Sequence, residues 1–127
     1  DVYQSYGAAE QAHRLYESSL TEWLALGDLR GVAQCLEGFA GLVAGDQPAA
    51  TVRLLGAAWT IRDRIGEPSS PMRVDGLREV LEQARRALDA GQYDRSWAEG
   101  RAMSPLQAVA YAQDHAPTSV HRWGEST

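Results

Sequence analysis

Apolar residues recur along this 127-residue chain at steps of three and four almost throughout, and no stretch alternates β-branched with polar residues. The pattern predicts an all-α chain of about six helices. The first runs from about Gln4 to Leu26, with Tyr6, Ala9, His13, Tyr16, Leu20, Trp23 and Leu24 along one side. Gly27 supplies a left-handed terminator and Asp28 a cap for the second helix, whose Leu29, Val32, Leu36, Phe39 and Val43 form a single stripe. Gly45-Asp46 repeats this stop and start. Pro48 falls in the first turn of the third helix, where its missing N–H costs nothing, and Leu54, Leu55, Ala58, Trp59, Ile61 and Ile65 carry that helix to Gly66.

The segment "EPSSP" (67–71) cannot continue a helix, and Ser70-Pro71 reads as a cap followed by proline at the first helical position. A fourth helix follows, with Val74, Leu77, Leu81, Ala84 and Leu88 as its apolar stripe and Gly91 as its expected terminator. Tyr93 and Trp97, one turn apart, belong to a shorter fifth helix that closes near Gly100. Ser104-Pro105 starts a sixth, holding Leu106, Val109 and Ala110. From Ala116 onward "APTSVHRWGEST" has no period. The expected organisation is therefore a helical-repeat domain over 1–115 and a disordered tail over 116–127.

The chain also repeats itself. "GAAEQAHRLYESSL" aligns with "GDQPAATVRLLGAA" at a shift of 38 (45 minus 7), pairing Gly7 with Gly45, Ala12 with Ala50, Tyr16 with Leu54 and Ser19 with Ala57. A glycine opens each turn, a small alanine lets paired helices approach, and a large residue one turn later fills the gap. Units of this kind bury their apolar faces only against neighbours. A third, more diverged unit has Gly91 at its turn. This skeleton, with Gly38 as the small residue of the preceding helix, resembles a tetratricopeptide-like repeat of antiparallel helix pairs forming an α-α superhelix.

More specifically, "GDQPAATVRLLGAAWTIRDRIGEPSSP" followed by "SWAEGRAMSPLQAVAYA" looks like the C-terminal helical region of large actinobacterial regulators of the LuxR-type or signalling-ATPase kind, over roughly Tyr6 to Gln113. The resemblance implies a sensing or protein-interaction region. It brings neither the ATPase nor the DNA-binding helix of those proteins, since a chain without lysine holds no phosphate-binding Gly-x4-Gly-Lys-[Ser/Thr] loop. The start at Asp1, without an initiator methionine, fits a piece trimmed from a larger protein.

Composition narrows the function further. A net charge of −5 and a pI near 5.1 offer no basic face, which argues against direct binding to nucleic acid. Cys35 is the single cysteine, so there is neither a disulfide framework nor a cysteine-rich zinc site, and a reducing cytoplasm fits. No apolar run approaches the ~20 residues of a membrane span, and no signal peptide is recognisable.

No set of residues reads as catalytic, and no cofactor is expected. Cys35, between Val32 and Phe39, reads as a small packing group. His13, His115 and His121 lack second ligands at helical spacing, so no metal site is expected. Trp97, Glu99 and Arg101 beside Gly100 have no paired base or nucleophile; Trp97 reads as a packing residue and Gly100 as a terminating or close-approach position. Trp23, Trp59 and Trp97 read as wedges between helices. The candidate partner surface is Arg53, Arg62 and Arg64, lining one side of the third helix against an acidic partner, with Trp123 as a residue of the tail that either stays unstructured or docks on a neighbouring chain.

Taken together, the sequence points to a non-catalytic protein-interaction or ligand-sensing module of a larger transcriptional regulator, acting through the concave face of its helices. Its partner would be another protein or upstream parts of the same chain, and the apolar edge of the first helix would allow a homodimer. The alternatives are a small-molecule-binding domain with a pocket between helices and a structural dimerisation segment.

Overall fold

Left-handed glycines and side-chain caps set the helix ends, and the first of them is Gly27, with φ of 72°. In a computed structural model, which describes residue 14 and residues 18–66 and 71–114, Asp28 follows that turn and its carboxylate accepts from the Gly31 N–H at 3.1 Å. All regular structure among the described residues is α-helical. The elements are α1 (residues 18–26), α2 (Leu29–Val43), α3 (Pro48–Ile65), α4 (Pro71–Ala87), α5 (Ala90–Arg101) and α6 (Pro105–Asp114). The described residues are thus all-α, in six helices, as the periodicity predicts.

Several boundaries follow directly from local chemistry. Pro48 opens α3, and Gly66, at φ of 66°, closes it by donating its N–H to the carbonyls of Arg62 and Asp63. At the start of α6, Ser104 and Gln107 bond reciprocally: the Gln107 N–H reaches Ser104 Oγ at 3.1 Å, and the Ser104 N–H reaches Gln107 Oε1 at 2.9 Å. Gly91 departs from expectation. The same reciprocal box forms between Asp89 and Gln92, so α4 ends at Ala87 and Gly91 lies inside the first turn of α5. An aspartate with a glutamine three residues on satisfies two orphan N–H groups, and this signal outweighs a glycine with no need for positive φ.

The core lies between α2 and α3. Val32, Leu36, Phe39 and Val43 of α2 meet Leu54, Ala57, Ala58 and Ile61 of α3, all essentially buried. Each large side chain there stabilises by about 1.5–3 kcal/mol relative to exposure. Leu20 of α1 and Ala108, Val109 and Ala112 of α6 extend the cluster. Thr51, fully buried, donates its hydroxyl to the Ala40 carbonyl at 3.1 Å, so its polar atom is satisfied inside the core.

Beyond the α2–α3 pair, the helices gather around α3. It touches α2, α4, α5 and α6, while α6 turns back onto α2. The last two helices therefore pack on α3 and α2 and not chiefly on each other, as a regular third pair would. Two glycines set how α5 sits. A Cβ on Gly56 of α3 would come 2.8 Å from the Trp97 carbonyl oxygen, and one on Gly100 would collide with the Arg53 main chain. The two helices cross backbone against backbone, with Ser96 buried beside the crossing. The joint at Gly100 is a fitted contact followed by a capped restart. The early part of the first helix, including Gly7, Ala12, His13 and Tyr16, lies outside the described residues, as do Ser70, His115, His121 and the whole 116–127 tail.

Candidate functional site

The three arginines of α3 go to different places. At 3.6 residues per turn, the nine residues from Arg53 to Arg62 (62 minus 53) amount to two and a half turns, so the two side chains leave opposite sides of the helix. Arg62 points into the α2–α3 interface, where its Nε and one terminal nitrogen donate to the two carboxylate oxygens of Glu37 at 2.8 and 2.9 Å. Both side chains are more than nine-tenths buried. The expectation that Arg62 faces an outside partner is therefore corrected: its acidic partner lies within the chain. A bidentate fork matched to a carboxylate is the geometry in which a buried charge is tolerated.

Arg53 leaves toward α5 and α6. It donates to Glu99 Oε1 at 3.2 and 3.3 Å and to the Tyr111 hydroxyl at 3.0 Å, with its guanidinium carbon 5.9 Å from the Tyr111 ring centre. Burial pushes the Arg53 pKa down, but the hydrogen bonds and charges of Tyr111 and Glu99 outweigh it and hold the group above its ordinary value. One cation thus ties three helices together. Arg64, eleven residues beyond Arg53, is exposed at the end of α3. Trp123 lies outside the described residues.

The tryptophans fare differently: Trp97 packs against the core as expected, while Trp59 and Trp23 are more exposed. Trp23 lies flat against Gly31, where a Cβ would meet its indole, and it hydrogen-bonds toward Cys35. Burial raises the Cys35 pKa, with the Trp23 contact opposing, so the thiol is a protonated packing group. Trp59 was expected as a wedge between helices, yet it is 51% exposed. It leans on half-buried Trp97 of α5, ring centres 6.2 Å apart and planes tilted by 58°. Beside the pair, the Thr60 hydroxyl donates to the Arg101 carbonyl at 3.1 Å and accepts from Arg101 Nε at 3.3 Å. Glu37, Tyr111 and Thr60 were not singled out by the sequence, and Glu99 was weighed only beside Gly100 and not against Arg53, because each acquires its role from a helix distant along the chain.

Among the described residues, no three His, Cys, Asp or Glu side chains come together as a metal site. Described residues line an open hollow of about 600 Å³ beside α1, at Arg14, Ser18, Thr21, Glu22 and Ala25, and another of about 790 Å³ between the α1–α2 turn and the end of α3. Neither is enclosed as small-molecule sites usually are. No described helix is long and apolar enough to cross a membrane.

Comparison with known proteins gives one consistent likeness. Over 80 residues, 63% of this chain, it is 36% identical to proteins of Mycobacterium bovis and of two Mycobacterium tuberculosis strains, each described as "Putative HTH-type transcriptional regulator". The matched segment spans only 9% of the length of those relatives. No family model and no solved structure matches the chain.

Proposed function

We propose that the chain is a non-catalytic helical interaction module of a larger transcriptional regulator. The likeness to the mycobacterial regulators carries this reading, because it covers most of this chain and a small fraction of theirs. Such a proportion is what a single module in a multi-domain protein produces. The α3-centred bundle supports it: side chains are spent on fit, capping and internal ion pairs, and the polar groups that remain outside belong to an ordinary interaction surface. In this reading the module is of the tetratricopeptide-like, LuxR-regulator kind, works in the cytoplasm, and leaves DNA contact to other parts of its parent. The acidic balance, −5 over 127 residues, supports that division of labour.

The test is an in-frame deletion of residues 18–114 from the gene, together with purified chain on duplex DNA at physiological ionic strength. The deletion is expected to change the transcript levels that the parent controls, and the purified chain to leave the duplex unshifted. An unchanged transcript profile, or a salt-sensitive shift by the chain alone, overturns the reading.

A further inference from the structure

Trp59 is a large exposed apolar side chain beside a second tryptophan, and several donors around the pair have no acceptor among the described residues. Neither indole N–H finds a hydrogen-bond partner among the described residues. Arg101 uses only its Nε, on Thr60, and no carboxylate among the described residues lies within ion-pair distance of it. The Thr60 hydroxyl holds that arginine at both its carbonyl and its Nε, which leaves the outer fork of the guanidinium oriented and open. By contrast, Arg53 and Arg62 are both engaged by carboxylates of the chain itself.

We propose that Trp59, Trp97 and Arg101 form a docking site for a protein segment that sets one carboxylate beside an apolar side chain. The apolar group lies on the tilted indoles and the carboxylate takes the Arg101 fork. This inference rests on the interaction-module reading and names the surface through which the module acts. Tryptophan and arginine are the residues on which binding energy concentrates, since each combines apolar area with directional donors. The Arg fork accepts a carboxylate with two parallel bonds, which adds orientation to attraction.

Charge selects this occupant over a nucleic acid. Asp63 sits one turn beyond Trp59 on α3 and Asp94 one turn before Trp97 on α5, both exposed. A strand of regularly spaced phosphates would meet these two carboxylates as well as Arg101. A segment with a single carboxylate next to an apolar group meets only the arginine and the indoles.

The experiment selects binders from a displayed library of random 12-residue peptides, with the full chain as bait. It then titrates synthetic versions while following the indole N–H signals. Enriched peptides are expected to carry Asp or Glu within one turn of an apolar residue, and to shift the Trp59 and Trp97 signals but not that of Trp23. Trp59→Ala and Arg101→Gln should each weaken binding at least tenfold with the unfolding midpoint unchanged, and Arg101→Lys should fall between wild type and Arg101→Gln. Enriched peptides that bind equally well to Trp59→Ala and Arg101→Gln would overturn this surface while leaving the interaction-module reading in place. Tighter binding of a 12-residue oligothymidylate, or self-association abolished by Trp59→Ala, would replace the proposed occupant.

Discussion

Replacing Gly100 with alanine tests the crossing of α3 and α5 at its tightest point. The added Cβ meets the carbonyl oxygen, carbonyl carbon and Cα of Arg53, main-chain atoms that cannot swing aside as the end of a side chain would. To restore an ordinary carbon–oxygen separation, α5 has to withdraw by roughly 1.5 Å. Overpacking of this kind costs about 1–3 kcal/mol, and contact with main chain on the far side places it toward the upper end. Alanine returns up to ~1 kcal/mol through its better helix propensity, so a net loss of about 2 kcal/mol is expected. In urea this moves the midpoint down by roughly 1 M, read by far-UV circular dichroism. Gly76, inside α4, has nothing within 4 Å of an added Cβ. Gly76→Ala is therefore expected to stabilise by about 0.4–1 kcal/mol. If Gly100→Ala proves as stable as the wild type, the backbone-on-backbone seat of α5 does not exist.

Three further expectations concern the polar and thiol groups. Glu37→Leu or Arg62→Met strands one buried charge and should cost about 3–5 kcal/mol, whereas the two changes together should recover most of it; a double-mutant cycle of unfolding free energies checks both. Tyr111→Phe removes one acceptor from half-exposed Arg53 and should cost about 1 kcal/mol, with hydrogen exchange quickening in α6 before α2. Because burial raises the Cys35 pKa in the folded state, the thiol's contribution to stability is complete below the unfolded value and is lost as pH rises through the folded one. The midpoint should then decline above about pH 8.5, and Cys35→Ala should remove that part of the decline.

What the sequence disclosed was local. Gly27-Asp28, Pro48, Gly66 and Ser104-Pro105 act within a turn of themselves, and each does in the fold what its chemistry predicts. Gly91 misled because Asp89 and Gln92 offered a competing local signal of the same length. The apolar stripes of α2 and α3 were legible because burial on one face imposes a period. The pairing of Arg62 with Glu37 was not, since 25 positions separate them and only the packing of α2 on α3 brings them together. Trp59 shows the other limit. It shares a stripe with buried neighbours, yet in the fold it stays exposed beside the close crossing of α3 and α5.

Since main-chain atoms fix where α5 lies, its outward positions are decoupled from its placement. Exposed residues such as Asp94, Arg95 and Ala98 face water. They can be exchanged for a foreign recognition motif without reshaping the hydrophobic interior. The helix is accordingly a mounting rail, on which new specificity can be installed while Gly56, Ser96 and Gly100 keep it bolted down.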